Sequence, residues 1–232
     1  METEEGYAQF TGRSHRLCED RFRLLGSAVP LVQRAERGHL YAVIDGAGGA
    51  PRGMATAQLL ADRLVDFFRL PPESATATDL NAVIRAASDE AYRWGFIEGT
   101  DIPLAAAAAT VAWLTPSRTL VLVHAGDTAA WRWDGARLHP LTQAHGNRHE
   151  LRRFVGQGPN FLPDCSERGF EEGSMLCMVS DGVTAVLHHG DIAACLSRAR
   201  DAQEAADNVA NLARQRRSPD DITVLCIELS SW

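Results

Sequence analysis

The sequence predicts an α+β fold in which β-sheets pack together and helices lie outside them. Three observations lead there. Apolar segments follow one another as strands, two helices, a block of strands, two helices and a last strand. Links inside the strand block are short, which means antiparallel pairing, because parallel neighbours need a long crossover. No repeat, linker or compositional break divides the 232 residues. That length fits one domain, residues 1–232, that can bury most of its apolar surface.

In chain order, residues 8–26 read as strand, polar turn, strand. The turn from Thr11 to Arg21 holds Arg13, His15, Arg16, Glu19 and Asp20. Two readings of it stay open: a solvated loop, preferred when the turn is taken alone, or a device presenting arginine to phosphate and carboxylates to a metal. Residues 40–44 are five consecutive apolar residues, a buried strand. It ends on Asp45, and Gly46, Gly48 and Gly49 then let the backbone bend and approach a ligand closely.

Leu60, Leu64 and Phe67 predict a helix over about 53–70, stopped by Pro71 and Pro72. A second helix takes Thr78 as N-cap and sets Leu80, Val83, Ile84, Ala87 and Ala91 on one stripe. Both stripes read as core faces. Strands are predicted at 110–114, 119–125, 129–133 and 136–139, with Asp134–Gly135 as a hairpin signal. Residues 145–163 read as irregular and 175–179 as a strand. Helices follow at 191–198 and 201–216, the latter with Ala202, Ala205, Val209, Leu212 and Ala213 inward. The last strand is 222–227.

A net charge of −7 argues against a nucleic-acid partner. Arg214, Arg216 and Arg217 close a helix, where cations complement the dipole. The five cysteines lack C-x-x-C spacing, and Cys177 and Cys226 fall inside strands as small core residues. A reducing, cytoplasmic location is expected. The acidic start, Met-Glu-Thr-Glu-Glu, has no apolar core and does not read as a signal peptide. The longest apolar run, 104–114, is too short to span a bilayer, so no membrane partner is expected. No pattern sets an oligomeric state.

An Asp-Gly after a strand is, on its own, a turn. Here the arrangement repeats. Asp127 follows the run 120–125, Asp181 follows 175–179, and Asp220 and Asp221 stand directly before 222–227. Glu19 and Asp20 add a pair near the start. Acids gathered at the strand ends of one sheet system repel one another unless cations hold them, which points to a two-metal hydrolytic site.

These segments resemble the metal-dependent protein serine/threonine phosphatases of the 2C class, the PPM family. Cys18-Glu19-Asp20-Arg21 is similar to its early N/E-E-D-R element. Residues 43–49 with Gly53 resemble its D-G-x-G-G-x-x-x-G signature, and Ala109-Thr110 stands where the family has G-T-T. Gly126-Asp127-Thr128 is similar to G-D-S, Leu141-Thr142 with His145 to L-T-x-D-H, and 151–156 to L-T-R-x-L-G. Ser180-Asp181-Gly182 matches S-D-G, and Asp220-Asp221-Ile222-Thr223 resembles the closing D-N-I-T. Eight short motifs in the family's order cover nearly the whole chain.

The resemblance implies an αββα sandwich with metals in a cleft at one end. It implies that Asp45 bridges two Mn²⁺ or Mg²⁺ ions, with Asp181 and Asp220 completing one. Glu19 and the Gly46 carbonyl would hold the other, and Asp20 would support metal-bound waters. A hydroxide bridging the ions would hydrolyse phosphoserine or phosphothreonine in a phosphorylated protein substrate.

The chain departs from the family at several points. The phosphate-binding arginine's place is His15, with Arg16 one step later. Either Arg16 or Arg13 reaches in, Arg16 being slightly preferred, or His15 takes over. Ala47 stands where some members carry a histidine proposed as general acid, leaving that role to a metal-bound water or His15. A third metal would use Asp127, but its second acid is Ala185, so that site is expected to be weak or absent. Ala144 replaces the L-T-x-D-H aspartate. Asp221 replaces the D-N-I-T asparagine, adding charge that either tightens metal binding or stays at the surface. His145 and Leu151 are six positions apart, so the family's flap is nearly deleted and the cleft should be open. The leading expectation is thus a phosphoprotein phosphatase. The alternatives are a weak or inactive member that binds phosphoproteins or a partner, and a hydrolase of small phosphate esters.

Overall fold

The computed structural model describes residues 2–71, 74–147 and 150–230; Pro72, half of the predicted helix stop, lies outside the described residues. Two five-stranded antiparallel sheets form the centre. One contains, in spatial order, Thr3–Phe10 (β1), Ile222–Leu229 (β12), Met175–Val179 (β11), Ala129–Trp133 (β6) and Leu138–Pro140 (β7). The other contains Asp164–Gly169 (β10), Thr119–Ala125 (β5), Ala107–Leu114 (β4), His39–Gly46 (β3) and Arg21–Leu25 (β2). A two-stranded hairpin pairs Gly146–Asn147 (β8) with Glu150–Leu151 (β9).

The apolar runs are continuous because both faces of the central strands are covered. From β3, Leu40, Ala42 and Ile44 face Gly53–Arg63 (α2) and Ala77–Tyr92 (α3), while Tyr41 and Val43 face the other sheet. From β12, Val224 and Cys226 face His189–Leu196 (α5) and Ala202–Gln215 (α6), while Leu225 and Ile227 face the sheet that contains β3. The result is the four-layer αββα sandwich. Among the described residues no helix is long and apolar enough to cross a membrane. All five cysteines are free thiols, and Cys177 and Cys226 are buried opposite one another.

Several boundaries differ from the sequence reading. The first strand begins at Thr3 rather than residue 8, because it pairs with β12 along its whole length. The predicted helix over 53–70 stops at Arg63 and tightens into a 3₁₀ segment, Leu64–Arg69. Thr76, not Thr78, caps α3: its hydroxyl accepts from the Asp79 N–H at 3.2 Å, and Asp79 accepts from the Thr76 N–H at 3.0 Å. This reciprocal Thr-x-x-Asp box fixes the start two residues earlier. The hairpin after β6 exists, but its second strand is Leu138–Pro140 rather than 136–139, because Asp134 caps the loop by accepting from the Ala136 and Arg137 N–H groups. Helices Pro30–Ala35 (α1) and Asp181–Thr184 (α4) and strand β10 lie where the sequence showed no periodicity.

Candidate metal centre

Strand β3 delivers Asp45 to the end of its sheet, where Asp45 pairs with Ala108 and Gly46 with Ala107 of β4. The chain then turns into α2. A Cβ on Gly46 would lie 2.6 Å from the Gly53 carbonyl carbon, and one on Gly53 would lie 2.5 Å from the Ala47 carbonyl oxygen. Only glycine at both positions lets the start of α2 sit this close to the strand end.

The sheet of β11 and β12 brings Asp181 and Asp220 to the same cleft. Asp181 opens α4 directly after β11. A Cβ on Gly182 would lie 2.0 Å from the Asp221 carbonyl oxygen, so Gly182 seats α4 against the segment before β12. Ser180, fully buried, fastens the pair: its hydroxyl donates to the Asp221 carbonyl at 3.2 Å and accepts from the Thr223 N–H at 3.0 Å.

The charged turn is clamped by Asp221, which is 2% exposed. Its carboxylate accepts from the Gly12 N–H at 2.6 Å and the Glu19 N–H at 2.7 Å, and it pairs with His15 Nδ1 at 3.0 Å. Asp221 therefore does not remain at the surface. It holds the turn that carries His15, Glu19 and Asp20. His15 also lies 3.6 Å from Asp220 Oδ1, and its pKa is raised, chiefly by the hydrogen bond to Asp221. Its Nε2 faces the glycine loop: a Cβ on Gly48 would lie 3.9 Å from it and 3.7 Å from Glu19 Oε2. Arg13 and Arg16 are exposed, and neither has an ion pair or hydrogen bond among the described residues. The structure brings His15 to the carboxylates and leaves Arg16, the preferred sequence candidate, outside them, because Asp221 fixes which side of the turn faces in.

Asp45, Asp127, Asp181 and Asp220 line one cleft of about 570 Å³. Burial, then Asp20, Asp181, Asp127 and Asp220, push the Asp45 pKa well above the ordinary carboxylate range. Asp20 is pushed up to about 7, mainly by burial, against the lowering effect of the Thr223 hydroxyl that donates to its Oδ2 at 2.6 Å. Burial likewise raises Glu19 and Asp127. Two buried oxygens, Glu19 Oε2 and Asp20 Oδ1, have no hydrogen-bond partner among the described residues. Buried carboxylate oxygens left this way are costly. A donor set made almost wholly of hard oxygens suits Mg²⁺ or Mn²⁺. The residues present fit a pair of such ions. Ala185, where a third-site acid would stand, offers no side-chain ligand.

Sequence reasoning did not find the apolar wall facing these acids: Ile102, Pro103, Leu151 and Phe154. No periodic signal marks them. His145, one of the motif residues, stands apart from the acids: its Nε2 pairs with Asp164 at 2.9 Å and its N–H donates to the Gly126 carbonyl at 2.7 Å, tying the loop after β7 to β10. Arg148 and His149, between His145 and Leu151 where the flap is shortened, lie outside the described residues.

Comparison with known proteins speaks to the family and the fold. The family described as Protein phosphatase 2C matches residues 11–221. Protein phosphatase 2C homolog 4 of Schizosaccharomyces pombe is 26% identical over 158 residues, 52% of this chain and 41% of that protein, so the match spans well under half of the relative's length. Similar solved structures include the PstP catalytic domain in complex with two manganese ions (TM-score 0.82, 20% identity, 99% of each chain covered). They also include Stp1 from Staphylococcus aureus (TM-score 0.83, 17% identity, covering 100% of this chain and 96% of that one) and PppA of Pseudomonas aeruginosa (TM-score 0.80, 19% identity, 97% of each). At these identities the structural likeness speaks for the fold. The family match spans nine-tenths of the sequence and includes Glu19, Asp45, Asp181 and Asp220, and by it this chain belongs to the protein phosphatase 2C family of protein phosphatases.

Proposed function

We propose that the protein hydrolyses phosphoserine or phosphothreonine in proteins, using two Mn²⁺ or Mg²⁺ ions held by the carboxylates of the cleft. The observation that carries this reading is the meeting of Asp45, Asp181 and Asp220 in one cleft, with Glu19 near enough to Asp220 to feel its charge and its buried Oε2 without a hydrogen-bond partner among the described residues. Asp45, Asp181, Asp220, Glu19 and the Gly46 carbonyl would hold the ions. Bound there, the ions would supply water activation for attack on phosphorus near neutral pH.

The chain's own residues do the rest. Asp20, anchored by Thr223, keeps Oδ1 directed into the cluster to receive a hydrogen bond from water. His15, held by Asp221, offers Nε2–H to the phosphate or to the departing oxygen. It thereby takes over the place that Arg16 was expected to fill. Asp127 lines the cleft without a second acid at Ala185, so a third ion is bound weakly if at all.

One observation favours the rival reading of a phosphoprotein-binding member: no arginine is found among the described residues lining the cleft. Hydrolysis of p-nitrophenyl phosphate and of a phosphopeptide, with and without Mn²⁺, separates the readings. Metal-dependent turnover of both that vanishes in Asp45→Ala supports the phosphatase. Turnover of p-nitrophenyl phosphate alone supports a small-ester hydrolase, and metal uptake without turnover supports the binding module.

A further inference from the structure

We propose that the cleft selects phosphorylated segments in which an apolar side chain adjoins the phosphorylated residue and acidic flanks are absent. This rests on the phosphatase reading above and names the substrate class for that site. The apolar wall is built from two segments distant in sequence. Ile102 and Pro103 come from the connection between α3 and β4, and Leu151 and Phe154 from β9 and the turn after it. Ile102 is 50% exposed, a large aliphatic side chain lining the cleft with half of its surface open to solvent.

The wall is preformed. Phe96 and Pro103 form an antiparallel bridge, the Ile97 N–H donates to the Ile102 carbonyl at 2.8 Å, and the Leu104 N–H donates to the Gly95 carbonyl at 2.9 Å. The Arg52 N–H donates to the Leu104 carbonyl at 2.8 Å, and the Arg52 guanidinium lies 5.5 Å from the Trp94 ring centroid. This ties the hairpin to the glycine loop that follows Asp45, so Ile102 keeps its distance from the acids. A surface already ordered loses little entropy when a ligand covers it.

Charge decides which occupant fits. Every charged residue among the described lining residues is an acid: Asp45, Asp127, Glu150, Asp181 and Asp220. The bound ions would offset those around the phosphate. Glu150, next to Leu151 in β9, adds a further acid to the lining and repels an aspartate or glutamate brought in by the substrate. With the phosphoryl group at the acids, the neighbouring side chain of the same segment is the group that reaches Ile102 and Phe154. A leucine or phenylalanine there covers apolar surface on both partners.

The test uses the full chain with Mn²⁺, p-nitrophenyl phosphate, and three phosphoserine peptides that differ only in carrying Leu, Gly or Asp beside the phosphoserine. The Leu peptide is expected to exceed the Gly peptide in kcat/KM by roughly tenfold, the scale of one well-covered aliphatic side chain. The Asp peptide should be the poorest. In Ile102→Ser the Leu-to-Gly ratio should fall towards one, and in Ile102→Lys the Asp peptide should gain on the other two. Because Ile102 is half exposed, neither change threatens folding. Turnover of p-nitrophenyl phosphate with equal kcat/KM on the three peptides overturns the inference alone, as does a ratio that survives in Ile102→Ser. No turnover of any substrate overturns the phosphatase reading and this inference together.

Discussion

The two ends of strand β3 solve one problem in opposite ways. At its start, His39 and Tyr41 meet Thr3 and Glu5 of β1. The Thr3 hydroxyl lies 2.9 Å from His39 Nδ1 and 2.9 Å from the Tyr41 hydroxyl, which donates to Glu5 Oε1 at 2.9 Å. Donors and acceptors alternate, and no buried side-chain oxygen or nitrogen of these four residues is left unpaired. At the other end stands Asp45, surrounded by acids that only accept when ionised, and two oxygens of that cluster have no partner among the described residues. A polar network holding both kinds of group closes on itself and stiffens the fold. A cluster of acceptors alone closes only around something brought from outside.

The sharpest way to break this contrast is to remove the acid at the centre. Asp45→Asn should lower Mn²⁺-dependent kcat/KM by roughly 10³-fold or more, since water activation and phosphate alignment both depend on it. The metal-free variant should melt no lower than the metal-free parent, because one of several repelling charges is gone. A loss of stability in EDTA comparable to that of a core deletion would count against the repulsive cluster.

Next in size is the response to metal itself. Mn²⁺ at a hundredfold excess over its Kd should stabilise the EDTA-treated protein by about 2.7 kcal/mol for each ion bound. In a chain of this length that is a rise of roughly 5–10 °C in Tm, read by differential scanning calorimetry. An unchanged Tm would place the acids outside any metal site.

A buried group away from the acids sharpens the comparison. His124 is 2% exposed; its Nδ1 lies 2.9 Å from the Thr110 hydroxyl, and its Nε2 donates to the Gln143 carbonyl at 3.1 Å. Burial, and then the neighbouring His145, lower its pKa to about 4, with Asp164 acting weakly in the other direction. The folded pKa lies below the unfolded value near 6.5, so the folded state resists protonation. Its contribution is present above pH 6.5 and is lost as pH falls from there towards 4. Between pH 7 and 5 this amounts to about 2 kcal/mol. In His124→Gln the Tm should decline less over that range, and parallel declines would refute the assignment. The smallest effect belongs to the closed network: Tyr41→Phe should cost about 1 kcal/mol and leave the Mn²⁺ response intact.

Much of this was legible in the sequence. Strands such as β3, β5, β11 and β12 announce themselves as apolar runs, and the acids at their ends mark where the two sheets bring side chains together. Strand β10 left no signal because it is an exposed edge, and α4 is a single turn whose first residue is Asp181. The choice between His15 and Arg16 turns on one step of a loop, and a residue two hundred positions away, Asp221, decides it. The apolar wall is equally invisible, since Ile102 and Phe154 become neighbours of the acids only when both sheets are in place.

The most direct measurement is calorimetric titration of the EDTA-stripped chain with Mn²⁺. The carboxylate cage calls for two ions per chain and a clear loss of binding in Asp45→Asn. No uptake, or uptake indifferent to that substitution, would contradict it.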